Sequence, residues 1–271
     1  MNQLPLYNSL FPFLVLIIIF ATFLTYYGAT WPKRVKNPEL LARIHKSFLG
    51  IFFYEFWFWV TEPIVKFFVI LRLTPNNVTL LALLLSIYNG YLFYSGHIAA
   101  AGWLLIISGS MDFFDGRVAR ATNRSTKAGA FFDACLDRYS DAFVFLGISF
   151  YFLKKAQLEP PLWDFNFFMG LVSLMALVGT EIMSYVKARG EAMGFSTKRG
   201  LMQRPERIVL LAFFSSLYPF LSFLAIRNDL PADSPLYLAM ILMAFLVNIS
   251  ALSRLLAIFN DIKKTESVSG E

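Results

Sequence analysis

Residues 112–137 read DFFDGRVARATNRSTKAGAFFDACLD and place four carboxylates, Asp112, Asp115, Asp133 and Asp137, between segments apolar enough to cross a bilayer. A carboxylate at membrane depth costs about +2.5–3.5 kcal/mol on insertion scales, so such residues mark an ion, a proton path or a substrate. Asp112 and Asp115 are three apart and Asp133 and Asp137 four apart, so each pair projects from one helix face. Two helices facing each other would gather all four at one point. Like charges so close do not stay ionised together unless cations neutralise them, and oxygen-only ligands select hard ions such as Mg²⁺, Mn²⁺ or Ca²⁺. The stretch reads as a metal site. Gly116, Ala119 and Gly129 lie on or beside the same faces, where small side chains let a backbone or a flat ligand approach. Arg117, Arg120, Arg124 and Lys127 in the same connection are suited to phosphate.

Working outward, the 271 residues are 57% hydrophobic and only 15% charged, with 30 Phe, 12 Tyr and 5 Trp. That composition excludes an ordinary soluble domain and predicts an all-α polytopic membrane protein. Cys135 is the only cysteine, so no intrachain disulfide forms, and it reads as a small helix residue between two ligands. His45 and His97 offer no catalytic pair, and no nucleic-acid motif is present.

Residues 9–28 form an apolar run long enough to span, with no Lys or Arg before it and Lys33, Arg34 and Lys36 after it. It reads as an uncleaved anchor with its N-terminus outside. Pro32 to Lys46 reads as a basic linker. Residues 52–73 mix aromatics with Glu55, Glu62, Lys66 and Arg72, which suits a helix lying in the inner interface. Thr74 and Pro75 then open the next helix as N-cap and first residue. Spans are expected over 76–94, 98–120, 128–153, 165–187, 207–226 and 236–258. Residues 1–54 are thus an added anchor and linker, 55–262 the membrane domain, and 263–271 a disordered polar tail. With the acidic stretch in the cytosol, only Lys154, Lys155 and Arg227 occupy outer loops. The other 21 of the 24 basic residues fall on the inner side, as the positive-inside rule requires of a plasma (inner) membrane protein. The basic face should attract anionic lipids.

Asp112, Asp115, Gly116, Ala119, Arg120, Gly129, Asp133 and Asp137 fill every fixed position of D-x-x-D-G-x-x-A-R, eight residues, G, three residues, D, three residues, D. In this the stretch resembles the CDP-alcohol phosphotransferases. The resemblance implies six transmembrane helices after an interfacial amphipathic segment, here preceded by the extra anchor, and a homodimer. It implies two divalent metals, Mg²⁺ or Mn²⁺, on Asp112, Asp115, Asp133 and Asp137. Asp137 is then also the base that takes the acceptor hydroxyl's proton as a phosphatidyl group leaves CDP-diacylglycerol and CMP is released. Asn76, Gly116, Ala119 and Arg120 would line the cytidine diphosphate cleft.

Asp141 extends the Asp133–Asp137 row by one turn and reads as a carboxylate supporting Arg138 from behind, or as a further ligand. The segment SYVKARGEAMGFSTKRGLMQRPER, residues 184–207, is a second basic constellation. Its KAR-x-E and RPER elements resemble the phosphatidylinositol-phosphate synthase branch. That resemblance implies Arg189, Arg204 and Arg207, with Lys127, around the phosphate of the acceptor. Met202-Gln203 and Lys198-Arg199 depart from the branch pattern, so glycerol 3-phosphate is the rival acceptor. Two other classes compete: a cation transporter, which needs polar residues along a whole path, and an inactive member kept for partner binding, which would have lost a ligand.

Overall fold

The computed structural model describes residues 4–30, 50–156, 164–195 and 202–269, and among them every regular element is a helix. In chain order these are α1 (Leu4–Thr30), α2 (Gly50–Ile70), α3 (Pro75–Tyr94), α4 (Ile98–Ala121), α5 (Lys127–Lys155), α6 (Phe165–Ala192), α7 (Arg204–Ser216), α8 (Tyr218–Arg227) and α9 (Ser234–Ser269). The basic linker expected over 32–46 lies outside the described residues.

Helices α3, α4, α6 and α9 are long and apolar enough to cross a membrane, and α7 with α8 makes a fifth span when the pair is taken as one. Helix α5 is as long, but Asp133, Asp137, Arg138 and Asp141 interrupt its apolar character. The six units close a ring in which α5 packs on α3, α3 on α4, α4 on α7, α7 on α9, α9 on α6 and α6 on α5. Helix α3 is the shared neighbour of the two acidic helices. At its contact with α5, a Cβ on Gly90 would lie 2.3 Å from the Phe143 carbonyl oxygen, and one on Gly147 only 2.2 Å from that of Gly90. The two backbones touch there, and only glycine allows it.

The expected span over 207–226 is broken. Helices α7 and α8 meet at Leu217 with a 60° bend. Pro219 supplies the cause: it has no N–H to give the preceding turn, and its ring disfavours helical backbone at Tyr218. Helix α9 runs on to Ser269, so residues 263–269, expected as disordered tail, are helical; no Gly or Pro interrupts 236–269.

At the end of the ring away from the acidic stretch, buried Asp233 receives the hydroxyls of Tyr151 (2.8 Å) and Tyr218 and the ammonium of Lys155. Burial alone would raise this carboxyl. The hydrogen bonds from Lys155, Tyr218 and Tyr151 instead hold it below the usual carboxylate range. One side chain thereby staples α5, α8 and the start of α9.

Helix α2 lies against α4 through Val65 and Phe68, which share a buried cluster with Val78, Ala82, Met111, Phe114 and Val118. Helix α1, which contains the apolar run over 9–28, packs on α2 and α8. Tyr27 is buried against α2, edge-on to Phe56 and tilted against Trp59.

Candidate active site

Two local devices set the acidic residues in place. Helix α4 ends where Asn123 turns to φ 53°, a left-handed conformation that asparagine tolerates, and the Arg124 N–H closes back on the Ala119 carbonyl. Three residues later Thr126 caps α5 by accepting from Gly129 N (3.0 Å). Thr74 caps α3 in the same way, accepting from Asn77 N with Pro75 at the first turn, as the sequence predicts. All three helix ends meet at one level.

Between them lies a cleft of about 480 Å³. Thr74, Pro75, Asn76 and Thr79 line it from α3, and Asp115, Gly116, Ala119 and Arg120 from α4. Arg124, Ser125, Thr126, Gly129, Ala130 and Asp133 complete it. All four residues expected around a cytidine diphosphate, Asn76, Gly116, Ala119 and Arg120, are thus brought together. Thr79 was not foreseen: its hydroxyl donates to Asp115 Oδ2 (2.9 Å), fixing a carboxylate that is 6% exposed.

Arg117 breaks with expectation. It faces away from the cleft and is buried against α2, where it donates to the Phe58 carbonyl (3.0 Å) and Thr61 hydroxyl and pairs with Glu62. Its guanidinium also stacks over the Phe58 ring at 4.3 Å. The residue suited to phosphate is a clasp between α4 and α2. Arg120 and Arg124 remain in the cleft.

The aspartates divide into two groups. Asp115 and Asp133 face each other at the cleft, and Asp133 Oδ1 is buried with no hydrogen-bond donor. Asp112 and Asp137 are joined from the other side by Arg204 at the start of α7, whose Nη1 lies 2.6 Å from Asp137 Oδ1. Asp141 accepts from Arg204 Nε (3.4 Å) and Arg207 Nη2 (3.0 Å). The expected partner Arg138 instead donates to Ser184 and lies 4.0 Å from Asp137, acting on Asp141 through its charge without a hydrogen bond. Lys127 and Arg189 are exposed, and neither is joined to the aspartates.

Among the described residues, no three acidic, His or Cys side chains form a ready-made metal cage. The donor set nonetheless fits a hard cation. It is carboxylate only, with Asp115 and Asp133 opposed and one buried oxygen unmet.

Glu181 on α6 was also missed. It lies among Arg138, Asp141 and Arg207, with its Oε1 buried and unpartnered. A lone acidic residue inside an apolar helix was the available signal.

The described residues thus form a helical protein with membrane-length spans and an aspartate centre set between an open cleft and a basic flank. The CDP-alcohol phosphatidyltransferase family model matches residues 72–250, more than half of the chain. The chain belongs to that family and is a phosphatidyltransferase integral to the membrane. It is 36% identical over 152 residues to the phosphatidylinositol phosphate synthase of Corynebacterium glutamicum, covering 56% of this chain and 66% of that protein. It is 34% identical over 158 residues to the archaetidylinositol phosphate synthase of Pyrococcus horikoshii, covering 58% of this chain and 76% of the other. The crystal structure of Mycobacterium tuberculosis phosphatidylinositol phosphate synthase with CDP-DAG bound superposes with a TM-score of 0.61 at 28% identity, over 74% of this chain and 94% of that one. The same enzyme in complex with manganese and citrate gives a TM-score of 0.62 at 28% identity, over 73% and 88%.

Proposed function

We propose that the protein transfers a phosphatidyl group from CDP-diacylglycerol to the hydroxyl of a phosphorylated polyol, with release of CMP. The observation that carries this is the two-sided aspartate set: Asp115 and Asp133 open on the cleft, while Asp112 and Asp137 meet Arg204. Donor and acceptor would approach from opposite sides. An inositol phosphate is favoured, because the relatives are named as a phosphatidylinositol phosphate synthase and an archaetidylinositol phosphate synthase.

In the cleft, Gly116 and Ala119 leave the α4 surface low enough for the diphosphate, Arg120 and Arg124 offer it guanidinium groups, and Asn76 reaches it from α3. Asp112, Asp115, Asp133 and Asp137 would hold two divalent cations, Mg²⁺ or Mn²⁺, which would offset the charge on the diphosphate and the departing CMP. Arg204 and Arg207 fix the acceptor through its phosphate. Asp137 takes the proton of the acceptor hydroxyl, whose oxygen forms a bond to the β-phosphorus. The bond from that phosphorus to the bridging oxygen breaks, and CMP leaves with the electron pair.

In the same reading the six packed units are six transmembrane spans, α2 lies in the interface, α1 is an added anchor and the enzyme is a homodimer. The acidic centre faces the cytosol at an inner membrane, because Lys154, Lys155 and Arg227 are the basic residues at the opposite helix ends. A cation-conducting path has no support in the apolar helix halves beyond Asp141, and the intact motif argues against an inactive member.

Arg207→Ala tests the acceptor side. With inositol 1-phosphate the acceptor KM should rise at least about tenfold while that for CDP-diacylglycerol stays near wild type. A rise confined to CDP-diacylglycerol would move Arg207 to the donor site.

A further inference from the structure

Glu181 and Arg207 present an unmatched pair. Arg207 is 4% exposed, with Nη2 on Asp141 and Nη1 lacking a partner. Glu181 lies within electrostatic reach of it, and its buried Oε1 has no donor either. A buried donor and a buried acceptor in one neighbourhood, each unmet and not bonded to the other, call for a molecule that supplies both functions. The other groups there are already engaged. Arg138 is the cation acting most strongly on Glu181, but its hydrogen bond goes to Ser184, one helical turn beyond, and Asp141 is held by Arg204 and Arg207. A hydroxyl both donates and accepts, and so fits between a carboxylate and a guanidinium. Arg204 links this corner directly to Asp137.

We infer that Glu181 is a specificity-determining residue that accepts a hydrogen bond from a non-reacting hydroxyl of the polyol acceptor. The inference rests on the assignment of Arg204 and Arg207 to the acceptor's phosphate. It explains what a carboxylate does beside an anion-binding site, where it would otherwise repel the ligand. An acceptor with several hydroxyls gains a contact that a simple alkyl phosphate does not.

The test uses the full-length protein with Mg²⁺ and CDP-diacylglycerol. Wild type, Glu181→Gln and Glu181→Ala are compared with inositol 1-phosphate and a set of its analogues, each lacking one non-reacting hydroxyl. Glu181→Ala should raise the acceptor KM about ten- to hundredfold, the loss expected for a hydrogen bond to a charged group, with the CDP-diacylglycerol KM within about twofold of wild type. One analogue should lose about as much against wild type and nothing against Glu181→Ala. A merely structural carboxylate would not produce that analogue-specific cancellation. Glu181→Gln keeps the shape, and its thermal unfolding separates misfolding from lost recognition. The inference is overturned if the acceptor KM is unchanged, if both KM values rise together, or if every analogue loses equally against both proteins. Wild type that turns over inositol 1-phosphate while the variants match it leaves the acceptor assignment standing and removes Glu181 alone. Wild type inactive with every phosphorylated polyol removes both.

Discussion

Gly116 and Gly147 make a sharp contrast under the same substitution. A Cβ on Gly116 would meet only the Arg120 guanidinium, at 3.5 Å, which is ordinary contact with the end of a flexible side chain. Alanine is also favoured over glycine inside a helix by about 0.5–1 kcal/mol, so Gly116→Ala should melt at or slightly above the wild-type temperature. Its methyl group, however, enters the cleft. Displacing a reacting group by about 1 Å costs of order a hundredfold in rate, so kcat/KM for CDP-diacylglycerol should fall by about that factor. At Gly147 the added carbon would sit 2.2 Å from the Gly90 oxygen and 2.6 Å from its Cα. Those are backbone atoms, so α3 and α5 must separate. Overpacking of this kind costs about 1–3 kcal/mol or more, and Gly147→Ala should melt several degrees lower. Thermal unfolding in detergent and CMP release, measured on both variants, separate the effects. A Gly116→Ala enzyme with normal kinetics would refute the placement of the diphosphate against α4, and a Gly147→Ala protein as stable as wild type would refute the backbone contact.

Asp137→Asn should lower turnover by at least about a thousandfold without changing the melting temperature greatly; substantial residual activity would remove Asp137 from the base role. Chelation with EDTA should stop CMP release and added Mg²⁺ or Mn²⁺ should restore it, whereas chelator-resistant turnover would contradict the carboxylate metal site. Asp233→Asn should destabilise the protein by about 1–3 kcal/mol at pH 7, read as a lower melting temperature. Because the Asp233 carboxyl is held below its usual range, its contribution is fully present above the unfolded value of about 3.9 and is lost as pH falls through the lower folded value. The gap between wild type and variant should therefore close in strong acid; a gap unchanged there would rule out an ionised Asp233 as its source.

What the sequence made legible was whatever depends on local spacing. The Thr74–Pro75 helix start follows from residues within one turn of each other. The cleft positions of Asn76, Gly116, Ala119 and Arg120, by contrast, were expected only from the resemblance, and the four aspartates group across helices, not within them. Side-chain direction was not legible where the partner is distant in the chain. Arg117 and Arg120 are neighbours on one helix, yet Arg117 turns to Phe58, Thr61 and Glu62, which precede it by 55–59 positions. Asp141 likewise takes its hydrogen bonds from Arg204 and Arg207, 63 and 66 residues onward, and none from Arg138 one turn before it. The break at Leu217 was visible in Pro219, but apolar continuity outweighed it in the expectation of one span. Thr79 and Glu181 carry polar atoms that gain meaning only when α3 and α6 are set beside α4, α5 and α7.

The most direct test of the central claim is CMP release by purified protein with CDP-diacylglycerol and Mg²⁺, offered inositol 1-phosphate, glycerol 3-phosphate, inositol and serine separately, with Asp137→Asn alongside. Release driven by inositol 1-phosphate, with the matching phospholipid product and none from the variant, is the predicted result. Release driven only by serine or free inositol would contradict the phosphorylated acceptor, and release by Asp137→Asn equal to wild type would contradict the aspartate centre itself.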